Sequence, residues 1–151
     1  MTTIVSRFGT TQERVNILEG LLKYRQALAA AGITNGIQWL DGSFVENVEQ
    51  NRSRAPIDID VVTLASRPVL HGVSWSEFVH ANRHLFDPTQ TKQAFKCDAY
   101  YIDLSLSPDW VVQQTCYWFG LFTHQRETFL WKGMLSVPLL SDDDDAARIL
   151  V

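Results

Sequence analysis

The chain of 151 residues is 46% apolar and 20% charged, with a formal charge of −4, which fits one globular domain over residues 1–151 and leaves too little length for two. No window is apolar for long enough to span a bilayer, and the opening MTTIVSRFGTTQER lacks the basic start and apolar core of a signal peptide, so a cytoplasmic protein without a membrane partner is expected. Mild negative charge argues against an extended phosphate-binding surface but leaves room for a small nucleotide whose charge a metal ion offsets.

In chain order, TTQERVNILEGLLKYRQALAAAG sets Val15, Leu18, Leu21, Leu22 and Leu28 at helical spacing, with Thr10 and Glu13 as a capping box and Gly32 as the stop. GIQWLDG follows as a short apolar strand that runs into Gly42-Ser43. Ser43 and Glu46 match a second capping box, predicting a short helix over SFVENVEQ, and NRSRAP reads as a loop before the strand IDIDVVTL. Ser74 and Glu77 cap a helix over SWSEFVHANRHLF, which the Asp87-Pro88 turn ends. AFKCDAYYIDLSL is a third strand. Ser107 and Pro108 open a helix over SPDWVVQQTCYWFGLF, and GMLSVPLL is a weak last strand before the acidic run Asp142 to Asp145, a solvated helix start with Ser141 at the N-cap. The alternation predicts an α/β or α+β fold, a small mixed sheet flanked by helices.

Cys97 and Cys116 sit in apolar segments and read as reduced, buried thiols. His80 and His84 lie one helical turn apart without an acidic or cysteine partner at metal-site spacing, so both read as helix-surface residues. Trp39, Trp75, Trp110, Trp118 and Trp131 read as core or interface anchors, and an exposed cluster near Trp118 and Phe122 would mark a partner surface.

The chemistry concentrates in two short stretches. Along a strand Ile57, Ile59 and Val61 point one way while Asp58 and Asp60 point the other, their α-carbons roughly 6.5 to 7 Å apart. Two carboxylates that close repel unless a cation lies between them, and magnesium suits a few carboxylate oxygens completed by water and phosphate. Two such ions can stabilise the attacking and leaving oxygens of phosphoryl transfer. Either stretch alone has a plain structural account: Asp-x-Asp fits a strand with one solvated face, and Gly-Ser fits a tight turn. In this order they place a glycine that lets backbone approach closely, and amides suited to an anion, beside a metal-binding pair.

The pattern Gly42, Ser43, a spacer, then Asp58, Ile59 and Asp60 resembles the signature of the DNA polymerase beta-like nucleotidyltransferase superfamily. Through LDGSFV, DIDV and the aromatic stretch WFGLFTHQRETFLWKGMLSVPL, the whole chain is similar to small bacterial single-domain members of it. The resemblance implies transfer of a nucleoside monophosphate from a nucleoside triphosphate such as ATP to an acceptor hydroxyl. It implies that Gly42 and Ser43 hold the triphosphate, that Asp58 and Asp60 bind two magnesium ions, and that a third carboxylate on a later strand helps deprotonate the acceptor. Asp98 is preferred for that place and Asp103 is the alternative; five residues apart, they cannot share a strand face. The spacer of fourteen residues between Ser43 and Asp58 is slightly long, and the basic residues expected after Gly-Ser are replaced by FVENVEQ. Arg52, Arg54, Lys92, Lys96 and Lys132 stand elsewhere, with solvated positions expected for the two arginines.

The resemblance further implies a protein or RNA acceptor and a partner protein, in a toxin-antitoxin or phage-defence setting. The rival expectation is a catalytically degenerate subunit of the same fold that acts as a scaffold. A metal-dependent nuclease is a third, weakened by the lack of Glu-x-Lys after the aspartates.

Overall fold

The computed structural model describes residues 1–150, which form a mixed four-stranded sheet with helices on both faces, a small α+β fold. Helices α1 (Thr2–Phe8) and α2 (Gln12–Ala30) lead into strand β1 (Gly36–Asp41). A four-residue 3₁₀ turn (Gly42–Val45) and the short α3 (Val48–Arg52) then precede β2 (Ile59–Ala65). Helices α4 (Trp75–Ala81), α5 (Arg83–Phe86) and α6 (Pro88–Phe95) cross to β3 (Cys97–Asp103), followed by α7 (Pro108–Phe122), β4 (Leu135–Pro138) and α8 (Asp143–Ile149). The strand order is β3-β2-β1-β4, with β2 and β3 parallel and both other pairs antiparallel.

The parallel pair explains the three-helix crossover, because a parallel strand cannot be reached by a hairpin. It also accords with a β2 buried on both faces: Val61, Val62, Leu64 and Ala65 are all buried, since both faces of the sheet are covered. On one face Leu40, Ile59, Val61 and Ala99 meet Ile17, Leu18, Leu21 and Leu28 of α2. On the other, Val62, Leu64 and Ile102 meet Phe122 of α7, with Trp39, Tyr100 and Trp118 packed around them.

Helix α2 starts one residue later than expected: Thr11 accepts from the Arg14 N–H at 3.4 Å, and the Thr10–Glu13 box does not form. Its inner stripe carries two arginines that hydropathy alone places outside. Gly20 lies on the same stripe because a Cβ there would fall 2.0 Å from the Phe95 carbonyl oxygen of α6, so only glycine lets the two helices approach.

Other expectations change as well. The Ser43–Glu46 box is absent, because Glu46 reaches sideways to cations and α3 begins only at Val48. The Ser74–Glu77 box forms as expected, but its helix stops at Ala81, and His80 and His84 sit exposed on separate helices. Asp87 does not end a helix into a strand. Its carboxylate caps α6, a helix hidden in the sequence by the polar run TQTKQ. Helix α1 also went unseen, its apolar residues being too few to set a period. Cys97 is buried, but Cys116 is exposed on α7, and Trp131 is 75% exposed rather than an anchor. Asp142, not Ser141, stands at the N-cap of α8.

Arg25 ties the halves of the domain together. Its guanidinium donates to Gln38 Oε1 at 2.7 Å, to the Pro138 and Leu139 carbonyls at 2.7 and 3.1 Å, and to Asp143 at 2.7 and 3.0 Å; Gln38 in turn donates to Thr63 Oγ1 at 3.0 Å. Helix α2, three strands and α8 therefore share one buried polar network, whose members depend on each other for satisfaction. Arg25→Met leaves the Gln38 oxygen and two carbonyls without donors, and is expected to lower unfolding free energy by about 3 kcal/mol with an unchanged m-value in urea denaturation.

Candidate functional site

Backbone pairing builds the site. Asp41, the last residue of β1, stands opposite Asp60 in β2, and Asp60 stands beside Asp98 in β3. Register partners project to the same face of a sheet, so the three carboxylates form a row across adjacent strands, spaced by roughly 5 Å. The face is the one covered by α7, since Trp39, Val62 and Tyr100, two residues along each strand, belong to its cluster. Asp58 lies just before β2 begins and lines the same cleft. Ile57 does not share the Ile59–Val61 face as the alternation suggested; it is 71% exposed, outside the strand.

The structure thus brings Asp58, Asp60 and Asp98 to one cleft together with Gly42 and Ser43. Asp103 goes elsewhere: buried at the far end of β3, its carboxylate receives Arg67 Nε at 2.6 Å and the Ser105 N–H at 2.9 Å. Asp41 was missed as a site residue. The signal was present in its position directly before Gly-Ser, at a strand end, but pairing with Asp60 follows only from the register.

Gly42 has φ +82°, and a Cβ there would stand 2.9 Å from the Asp60 carboxylate carbon. The positive φ favours glycine, and the missing Cβ lets the turn lie directly against the carboxylate, which any side chain here would have to push aside. Behind the turn, buried Arg14 of α2 donates from Nη1 and Nη2 to the Phe44 and Glu46 carbonyls at 2.6 and 2.7 Å, and from Nε and Nη2 to the Glu49 carboxylate at 2.6 and 2.9 Å. A helix–turn clamp of this kind fixes the 3₁₀ turn without a capping box.

Charge compensation along the row is uneven. Lys92 Nζ lies 2.6 Å from Asp58 Oδ2, and Lys132 Nζ lies 2.9 Å from Asp41 Oδ2. Among the described residues, Asp60 and Asp98 have no ion-pair partner. Burial, then repulsion from Asp58, Asp98 and Asp41, pushes the Asp60 carboxyl up to about 6; burial pushes Asp41 up to about 6 against the pull of Lys132. Arg52 is drawn in toward Glu46 at 3.6 Å rather than left in solvent, while Arg54 stays exposed.

The cleft holds about 1030 Å³, at the upper end of the roughly 300–1,000 Å³ range of small-molecule sites. Its acidic end is opposed by an aromatic wall in which Tyr100 and Trp118 have centroids 4.5 Å apart and Tyr117 meets Trp118 at 5.3 Å. Phe122 is buried behind them, so the exposed aromatic surface of α7 is carried by Tyr117 and Phe119 instead.

No three His, Cys, Asp or Glu side chains converge as a ready metal set among the described residues. The donors nevertheless suit a hard divalent ion in kind. They are all carboxylate oxygens, two of the carboxylates lack a counter-charge, and Asp58 is held only by a half-exposed lysine. Asp58, Asp60 and Asp98 are the residues that would hold such an ion.

The raised carboxyl of Asp60 has a stability consequence. Its folded-state value lies above the ordinary 3.8, so its contribution to folding is complete below about pH 4 and is lost as pH rises through about 6. With a chelator present, Asp60→Asn is expected to exceed the parent in unfolding free energy by about 2 kcal/mol at pH 7.5 and to match it near pH 4, read by urea denaturation at both pH values. Equal stability at pH 7.5 would show that the charge is already compensated.

No helix of the described residues is long and apolar enough to cross a membrane. No curated protein and no solved structure matches the chain. One family model does match, over residues 1–138, a span that includes the turn, the whole acidic row and Lys132, and by that match the chain belongs to the family of unknown function DUF6932.

Proposed function

We propose that the protein is a magnesium-dependent nucleotidyltransferase of the DNA polymerase beta-like kind, transferring a nucleoside monophosphate to a protein or RNA acceptor. The observation that carries this reading is the register of β2 and β3, which sets Asp98 beside Asp60, with Asp58 adjacent in the same cleft and Gly42 against the Asp60 carboxylate. In this reading the 3₁₀ turn presents the Gly42 and Ser43 backbone to the donor phosphates, and close approach is open because glycine has no side chain. Asp98 accepts the proton of the acceptor hydroxyl as its oxygen attacks the α-phosphorus; the bond from the α-phosphorus to the bridging oxygen breaks, and pyrophosphate leaves. A divalent ion held by Asp58, Asp60 and Asp98 would supply positive charge to the phosphate oxygens. The aromatic wall of Tyr100, Tyr117 and Trp118 offers flat apolar surface to a base or to the acceptor. A toxin-antitoxin or phage-defence setting, with a partner protein as acceptor, belongs to the same reading and rests on the resemblance carried by Gly42-Ser43 and Asp58-Ile59-Asp60.

A scaffold role is favoured by one observation: Lys92 and Lys132 already neutralise two of the carboxylates. Calorimetry with magnesium and the four ribonucleoside triphosphates separates the readings, since a scaffold shows no metal-linked nucleotide binding.

Incubation with magnesium and each triphosphate, followed by intact-mass analysis of the protein and of the product of its neighbouring gene, is expected to show the gain of one nucleotide. Asp58→Ala, Asp60→Ala and Asp98→Ala should each lower the incorporation rate at least a hundredfold with the fold intact. Asp103→Asn should leave it within about twofold while costing about 1–3 kcal/mol of stability through loss of the Arg67 contact. Full transfer by Asp60→Ala would overturn the assignment.

A further inference from the structure

Lys132 is placed unlike an ordinary surface lysine. Its side chain is 11% exposed, and its ammonium lies 2.9 Å from Asp41 Oδ2 and 3.4 Å from Glu46 Oε1, the carboxylates that bracket the Gly42-Ser43 turn. Its backbone is held too. The Lys132 N–H donates to the Thr123 carbonyl at 2.9 Å, next to the antiparallel bridge of His124 and Trp131, whose rings lie 4.2 Å apart, and the Gln125 N–H donates to the Leu130 carbonyl at 2.8 Å. The segment returning from α7 to β4 is a tied loop that delivers one ammonium to the end of β1.

The two lysines of the cleft differ in how firmly they are held. Lys92 is half exposed and makes one contact, with Asp58, so its ammonium is free to swing into water. Lys132 is enclosed by its loop and pinned by two carboxylates. The acidic row therefore has a fixed positive charge at its β1 end, while Asp60 and Asp98 at the other end have none. Asp41 is 3% exposed and its Oδ1 is buried with no hydrogen-bond partner, so that removing the ammonium would leave both of its oxygens open to a cation beside Asp60.

We propose that Lys132 is a tethered cation of the centre: its ammonium, positioned by Asp41 and Glu46, fills the seat at the β1 end of the carboxylate row that a second divalent ion would take. The protein then binds one divalent ion, at Asp58, Asp60 and Asp98, rather than two. The inference rests on the reading of those three aspartates as metal ligands given above, and ion counting distinguishes its failure from the failure of that reading.

Manganese is titrated into the full chain at pH 8, with free ion followed by electron paramagnetic resonance and folding by near-ultraviolet circular dichroism. The parent is expected to take up one equivalent, Lys132→Ala and Lys132→Met two, and Lys132→Arg one, because arginine restores the charge. Asp41→Asn added to Lys132→Ala should return the count to one by removing the ligand that the lysine had covered. Two equivalents in the parent would overturn the tethered cation while leaving a metal-dependent transferase standing, and would do so whether or not the variants fold. One equivalent in folded Lys132→Ala would overturn it as well. No uptake by the parent would overturn both the inference and the metal site on which it rests.

Discussion

Three carboxylates on neighbouring strands cannot separate without breaking the sheet, and that constraint shapes the functional end of this protein. Asp41, Asp60 and Asp98 are locked level with one another by backbone pairing. At roughly 5 Å and an effective dielectric of about 20, each neighbouring pair of full charges would repel by about 3 kcal/mol. Nothing in the hydrogen-bond ladder relieves this. The register holds because a slip of one residue in β2 would turn Val61 away from the α2 face and bring Asp60 into it, burying a carboxylate among Ile17, Leu18 and Leu21. Hydrophobic burial thus holds in place an electrostatic arrangement that alone would disperse.

Helix α2 supports this arrangement with two buried arginines of opposite duty. Arg14 reaches the carbonyls of the turn that follows β1 and so holds Gly42 against Asp60, whereas Arg25 reaches the β1–β4 edge and α8. Each guanidinium is planar with several fixed donors, and each satisfies carbonyls and a carboxylate at once, a task for which lysine lacks the geometry. Both also keep the surrounding backbone polar groups satisfied in a core that would otherwise leave them without partners. The site is therefore anchored to the main helix of the fold and does not rest on a free loop.

The cleft is divided in character, with repelling carboxylates at the sheet end and aromatic rings from β3 and α7 opposite. A ligand that complements it joins concentrated negative charge, brought in with a cation, to a flat apolar group. A nucleoside triphosphate with its metal, the donor in the proposed reaction, has that composition. The lysines enter the same cleft from two sides: Lys92 of α6 meets Asp58 and Lys132 of the loop after α7 meets Asp41, while Asp60 and Asp98 are left without an ion-pair partner among the described residues.

Much of the fold was legible in the residues because the signals were local. The Ser74–Glu77 box, Pro108 at a helix start, the apolar strands and the Gly-Ser turn all act within a few positions of themselves. What stayed hidden were elements with weak periodicity, α1 and the polar α6, and the caps at Thr11 and Asp142, where adjacent residues of similar chemistry compete for one role. Alternation along a single strand could pair Asp58 with Asp60 and separate Asp98 from Asp103, since side-chain direction follows from position alone. It could not place Asp41 opposite Asp60, align Asp98 with both, or bring Lys132 across ninety-one residues to Asp41, because strand register and loop return are set by which apolar faces bury each other. The sequence alone therefore determined which carboxylates and which glycine were available. Their gathering into one row, with a lysine at its end, was decided by the packing of the sheet between α2 and α7.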